Sequence, residues 1–189
     1  MLNLFLEKLN DIHALSADLM QSLEKETKIL EVEKGQVLLR EGEVSNYVTA
    51  VLQGMLRSFY YVKDNEEITS RFTTEGEVVL SVNSFYTRKP GYECLMAEED
   101  CIIARISYEQ QQEYLKKYME YNYIVRLFTE KYYAASEEHL FQLRKKPAAD
   151  KWNFFMETYP HLVQRVPLKH IASFLGMRLE TLSRVRAAS

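Results

Sequence analysis

Along the first 26 residues, apolar side chains recur at Leu4, Phe5, Leu9, Ile12, Leu15, Leu19 and Leu23. These are the steps that line up on one side of a helix. Ser16, followed by Asp18 and Leu19, predicts a fresh helix start, with the acid near the positive end of the helix dipole. From Ile29 to Ile106 the period shortens to two. The runs KILEVEKG, QVLLREG, YVTAVLQG, MLRSFYYVKDNEEITSRFTTEG, EVVLSVNSFYT and CIIARIS read as short strands, punctuated by Gly35, Gly42, Gly54 and Gly76. Lys63–Glu66 predicts a hairpin loop, because Asp64 and Asn65 tolerate turn geometry. Short strands at this spacing predict an antiparallel β-roll of about eight strands.

From Ser107 the pattern is helical again. Ser107 and Gln110 stand in the spacing of a capping box, each side chain able to satisfy a backbone donor at the helix start. No glycine or proline follows until Pro147. Tyr114, Tyr118, Tyr121, Val125, Phe128, Tyr132 and Ala135 alternate in steps of four and three, the spacing of a coiled-coil seam, with room for a break near Tyr118–Met119. Two uses fit this seam: packing on the chain's own β-roll, or pairing with a twin helix in a dimer.

Beyond Pro147 the chain reads as a small helical module. Lys151–Tyr159 forms a helix carrying Trp152, Phe155 and Met156 and stopped by Pro160, and Pro167 sits where a first helical turn needs no N–H. Leu168–Leu175 makes two turns before Gly176, placed for a positive-φ helix end. A second helix follows over Leu179–Ala187. Ile171, Ala172, Leu175, Met177, Leu182 and Val185 face inward on this reading, and Arg178, Glu180, Thr181, Ser183, Arg184 and Arg186 face outward. The outward side chains suit base edges and phosphates: Arg bonds guanine, Glu accepts from cytosine, and Ser or Thr reaches bases or phosphate. A helix-turn-helix with its recognition helix at Leu179–Ala187 accounts for all of this; the alternative is a plain helical hairpin.

Charge sharpens the division. Residues 144–189 carry nine Lys+Arg against three Asp+Glu, leaving fifteen against twenty-four for the rest of a chain whose net charge is −3. A basic module on an acidic body points to a polyanionic partner. No run approaches the roughly 18–20 apolar residues of a membrane helix, so a membrane partner is not expected. Cys94 and Cys101 make neither a disulfide framework nor a metal-ligand pair, which suits a reduced, cytoplasmic protein. No nucleophile–base arrangement or phosphate-cradling loop stands out, and no enzymatic activity is expected.

Taken together, KGQVLLREG, VLQGMLRSFY and RVPLKHIASFLGMRLETLSRVR resemble the Crp/Fnr family of bacterial transcription regulators over nearly the whole chain. The resemblance implies an α+β fold: a cyclic-nucleotide-binding-like antiparallel β-roll sensor over 1–106, a long dimerisation helix region over 107–146 and a small winged helix-turn-helix domain over 147–189. It implies double-stranded DNA, a second copy of the chain and RNA polymerase as partners. Carried over by position, the family's base-facing residues fall on Leu179, Glu180, Ser183 and Arg184. Leu179 departs from the arginine of the cyclic-AMP receptor protein, which points to a different target sequence. Arg178 stands where a Ser or Thr helix cap is usual, and only three residues follow Arg186. The expected DNA-contacting set is Lys169, Arg178, Glu180, Thr181, Ser183, Arg184 and Arg186.

In the sensor, family members that bind cyclic nucleotides use a Gly-Glu turn for the ribose and a following Arg for the cyclic phosphate. Gly76-Glu77 and Arg88 are the matching candidates, but Arg88 falls one step late and Lys89-Pro90 replaces a small hydroxyl pair. Proline offers the phosphate no N–H. Cyclic AMP is therefore not expected; the pocket takes another small ligand or none, and no cofactor is implied. An iron–sulfur cluster wants about four cysteines. Haem wants an axial ligand such as histidine, and the β-roll segment has none. Two other classes compete. A cupin-like β-roll enzyme would need clustered histidines, whereas His13, His139, His161 and His170 all lie outside residues 29–106. A cyclic-nucleotide-binding regulatory module acting without DNA would leave the helix-turn-helix unexplained.

Overall fold

The computed structural model describes every residue except Lys146 and Ser189, and Lys145 by its backbone alone. Lys146, the last residue of the expected dimerisation region, thus lies outside the described residues. Met1–Ser58 with Phe72–Glu130 form one compact unit, and Phe59–Arg71 with the chain from Lys131 onward form a second.

In the first unit, helices α1 (Leu2–Ile12) and α2 (Ala17–Glu26) lead into the strands. The Ser16 hydroxyl caps α2 by accepting from Leu19 N at 3.3 Å. The buried stripe of α1 is Leu2, Leu6 and Leu9, whereas Leu4 and Ile12, expected inside, are exposed. Leu4 stands two residues, just over half a turn, from both Leu2 and Leu6.

Strands β1 (Lys28–Val32), β2 (Val37–Leu39), β3 (Tyr47–Gln53), β4 (Leu56–Tyr61), β5 (Glu67–Thr73), β6 (Val78–Val79), β7 (Glu93–Ala97) and β8 (Cys101–Ser107) build two four-stranded sheets. Their orders are β1-β8-β3-β6 and β2-β7-β4-β5. Alternation along β3 and β8 assigns each residue a face. Val51, Cys101 and Ile103 join Val32, Leu39, Leu56, Val79, Leu95 and Ala97 in one apolar cluster. Ala50, Ala104 and Ile106 point the other way, toward the helices. Gly54, at φ +88°, turns β3 into β4, and a side chain there would sit 2.5 Å from the carbonyl oxygen of Asp100. Under the turn, Arg57 and Glu98 form a buried ion pair, Nε to Oε1 2.5 Å.

One strand-like run is not a strand. Residues Val82–Thr87, within EVVLSVNSFYT, form helix α3. Tertiary contacts override the β-prone sequence here: Phe85 is fully buried edge-on to Tyr108, and the buried Ser84 hydroxyl accepts from Ser45 N and donates to the carbonyl of Lys89.

Helix α4 (Tyr108–Lys117) opens with both bonds of the Ser107–Gln110 capping box. The helix breaks at Tyr118, which is extended, and α5 runs over Met119–Lys145. The seam is then divided. Tyr114, Tyr118 and Tyr121 are buried in the unit's own core with α1 and α2. Their hydroxyls donate to Glu26, Asp18 and Gln111 at 2.7, 2.9 and 3.1 Å. Burial together with the Glu26 carboxylate holds the Tyr114 phenol far above its ordinary pKa. Tyr132 and Ala135, at the other end of the same seam, are exposed.

The second unit holds the tip of the β4–β5 hairpin, the later half of α5, and helices α6 (Ala148–Thr158), α7 (Leu168–Phe174) and α8 (Leu179–Ala188). The hairpin loop is a 3-10 turn in which Asp64 and Asn65 both take positive φ. The unit's buried residues include Trp152, Phe155, Leu162, Val166, Ile171, Phe174, Leu175 and Leu182. Among the described residues no strand follows β8, so the wing implied for this domain is not part of the fold seen here. The connection between α6 and α7 is instead a 3-10 turn at Pro160–Leu162.

Candidate nucleic-acid interface

The α7–α8 corner is set by backbone chemistry. Gly176, at φ +60°, donates to Ser173 O at 3.0 Å, and Met177 donates to Ala172 O at 3.0 Å. This is the paired closure of a Schellman motif, which needs a left-handed residue at its centre. The chain then re-enters a helix at Arg178, whose carbonyl accepts from Thr181 N and Leu182 N.

Two side chains from outside the corner, and one from α7 itself, hold it. His139 of α5 stacks on the Phe174 ring, centroids 4.0 Å apart, and its Nε2 lies 2.8 Å from the Phe174 carbonyl oxygen. A carbonyl has no proton to give, so Nε2 carries the hydrogen. Burial lowers the pKa of His139; its bond to Phe174 opposes the shift and the nearby Lys151 charge adds to it. Lys151 of α6 donates to Leu175 O at 3.2 Å. Two carbonyls at the end of α7, which have no intrahelical partner, are thereby satisfied. Ser173 faces the hairpin, its hydroxyl accepting from Thr69 N at 2.8 Å and donating to Glu67 O at 3.0 Å.

This scaffold turns the polar side of α8 outward. Leu182 is fully buried, and Arg178, Glu180, Ser183, Arg184 and Arg186 are exposed, as is Lys169 on α7; Thr181 is half-buried. At about 100° per residue, Glu180, Ser183 and Arg184 share the side opposite Leu182. Arg186 is four residues from Leu182 and lies on that residue's side, apart from the other three. The Arg184 guanidinium turns back toward the carbonyl of Glu180, Nε to O 3.4 Å. Of the side chains read as inward, Ile171, Ala172, Leu175 and Leu182 are buried, while Met177 and Val185 are partly covered.

The two sensor candidates are used within the protein. Glu77 accepts from Thr74 N at 2.9 Å within its own turn. Arg88 is left-handed at the end of α3, donates to Ser45 O and Asn46 Oδ1 at 2.8 and 2.5 Å, and lies over the Tyr108 ring. Neither lines the β-roll cavity of about 410 Å³, which is bounded instead by residues such as Leu39, Ser45, Thr49, Ser81 and Arg105. Arg105 escaped the sequence reading, although its parity with Cys101 and Ile103 placed a charge on the inward face of β8. His139, Lys151 and Ser173 escaped it because their partners are distant in sequence. Among the described residues no three His, Cys, Asp or Glu side chains form a metal-holding group, and no helix is long and apolar enough to cross a membrane.

The fold is a β-roll followed by a helix-turn-helix. Residues 29–118 match the cyclic nucleotide-binding domain family. No curated protein matches the chain in sequence. FixK2 from Bradyrhizobium japonicum superposes with a TM-score of 0.75 at 19% identity, covering 86% of this chain and 83% of that one. CLP, a c-di-GMP responsive global regulator from Xanthomonas campestris, gives 0.70 at 15% identity, covering 92% and 91%. A protein from Eubacterium rectale assigned as a Crp/Fnr-family transcriptional regulator gives 0.72 at 16% identity, covering 92% and 83%. Residues 29–118 thus resemble a cyclic nucleotide-binding domain, and the fold is that of the Crp/Fnr-type structures.

Proposed function

We propose that this chain is a non-enzymatic, homodimeric DNA-binding transcription regulator that reads a near-palindromic site and answers to a small ligand other than cyclic AMP. The observation that carries the DNA reading is the α7–α8 corner, where a Schellman turn and a buried Leu182 leave Glu180, Ser183 and Arg184 together on the open side of α8. Arg184 and Glu180 read base edges in the major groove, and Lys169 and Arg178 hold phosphates and fix the register. The exposed Tyr133, Leu140 and Phe141 on α5 support pairing with a second copy. Two recognition helices then lie about one DNA turn, roughly 34 Å, apart. RNA polymerase is the partner through which such a regulator acts.

Fluorescence anisotropy with DNA from just upstream of the chain's own gene, against a random duplex at near-physiological salt, tests the reading. Specific binding as a dimer is expected, with affinity falling steeply as salt rises, because each neutralised phosphate releases counterions. Equal affinity for both duplexes, with and without candidate effectors, counts against it.

A further inference from the structure

The β-roll cavity contains a cation that, among the described residues, has no carboxylate within ion-pair distance. Arg105 sits on β8 on the same face as the buried Cys101 and Ile103, among the cavity-lining residues. Its Nε donates to the buried Thr49 hydroxyl at 3.1 Å, and its Cζ lies 5.2 Å from the centre of the Tyr47 ring. Among the described residues, its terminal nitrogens have no protein acceptor and no carboxylate lies within ion-pair distance. Directly across the ladder, β1 places Lys28 opposite Arg105, a like charge that also lacks a carboxylate partner. Like charges facing each other across a sheet destabilise it, and a partly desolvated cation costs free energy unless it is paired. Burial lowers the Arg105 pKa, and the neighbouring Tyr47 opposes the shift only in part.

We propose that Arg105 binds the charged group of a small organic carboxylate whose apolar body lies in the β-roll cavity. The free end of the guanidinium is a planar fork of N–H groups that matches a carboxylate in two-point contact. Leu38, Leu39, Leu80 and Leu95 supply apolar wall, and the volume of about 410 Å³ lies within the range of small-molecule sites. Glu43 lines the same cavity while accepting from Arg40 N at 2.8 Å. A carboxylate on the wall disfavours a doubly charged ligand, which selects a monoanion over a phosphate monoester. This assignment deepens the ligand-controlled part of the proposed function and is independent of DNA recognition.

Calorimetric titration of the full chain without DNA tests it, using octanoate, the uncharged octan-1-ol and cyclic AMP. Octanoate is expected to bind wild-type protein at least tenfold more tightly than octan-1-ol. Arg105→Met is expected to lose that preference, and Arg105→Lys to keep part of it. The comparison of acid with alcohol on wild-type protein stands even if a variant folds poorly. Equal binding of acid and alcohol, unchanged octanoate binding by Arg105→Met, or no octanoate binding at millimolar concentration overturns the assignment. Cyclic AMP binding that Arg105→Met leaves intact overturns it as well, by placing the anion site elsewhere. Because no DNA is present, none of these outcomes turns on whether α8 reads an operator.

Discussion

His139 both stacks on the Phe174 ring and donates to the Phe174 carbonyl, so one imidazole fixes the side chain and the backbone of the residue that closes α7. Only a neutral ring is comfortable there, because burial and the nearby Lys151 charge both disfavour protonation.

That relationship makes the second unit sensitive to acid. The folded pKa of His139 lies below its ordinary value, so as pH falls the unfolded chain takes the proton first. The stabilisation is present above about pH 6.5 and is lost as pH drops further. Trp152, the single tryptophan, is buried in the same unit and reports on it. Thermal melts followed by its fluorescence should show wild type more stable than His139→Gln at pH 7.5, with the gap narrowing by pH 5.5. A constant gap would show that the site's contribution does not involve protonation.

Gly176 is the second point of sensitivity. Its φ is +60°, and an added Cβ would meet Leu143 Cδ2 at 3.0 Å. Gly176→Ala should cost about 1–2 kcal/mol in denaturant melts, from the left-handed backbone alone. Asn tolerates the left-handed region better and should cost less. Equal stability of all three proteins would mean that the corner relaxes to another closure.

The buried Arg57–Glu98 pair should behave asymmetrically. Replacing one partner, as in Arg57→Met, takes the guanidinium away from the buried Glu98 carboxylate and should cost about 3–5 kcal/mol. Replacing both with apolar residues of similar volume should cost much less. Urea melts of the two single variants and the double variant measure the difference, and additive losses would argue against coupling.

On DNA, Arg184→Ala should cost about 1–3 kcal/mol on the specific site and relax base choice at one position per half-site. Lys169→Ala should weaken specific and random duplexes alike and reduce the salt slope by about one. Anisotropy titrations over a range of salt separate the two roles. The same loss on both duplexes for Arg184→Ala would remove it from base reading.

Features built from neighbours in sequence were legible before any coordinates. The Ser107–Gln110 capping box, the Asp64–Asn65 turn, the strands other than β7 and the Gly176 helix end each follow from local backbone chemistry, and each is present, whereas β7 fell in no run read as a strand. Helix α3 was not legible, because the burial of Phe85 and the bonds of Ser84 depend on partners elsewhere in the β-roll. The tyrosine seam was ambiguous for a physical reason. One spacing serves the first unit's core at Tyr114, Tyr118 and Tyr121 and leaves Tyr132 exposed further along, so periodicity could not say which surface each part meets. The supports of the α7–α8 corner were invisible for the same reason as α3: His139 and Ser173 carry no local mark of their distant partners.

β5 stands at the edge of its sheet, where backbone groups face outward. At Thr69 N and Glu67 O that edge is occupied by the Ser173 hydroxyl, which gives and receives one hydrogen bond as a neighbouring strand's peptide would. Open strand edges are templates for joining one chain to another. Ser173→Ala should therefore increase concentration-dependent self-association in light scattering, and a protein whose helix-turn-helix has come away from the hairpin should be the species that aggregates first.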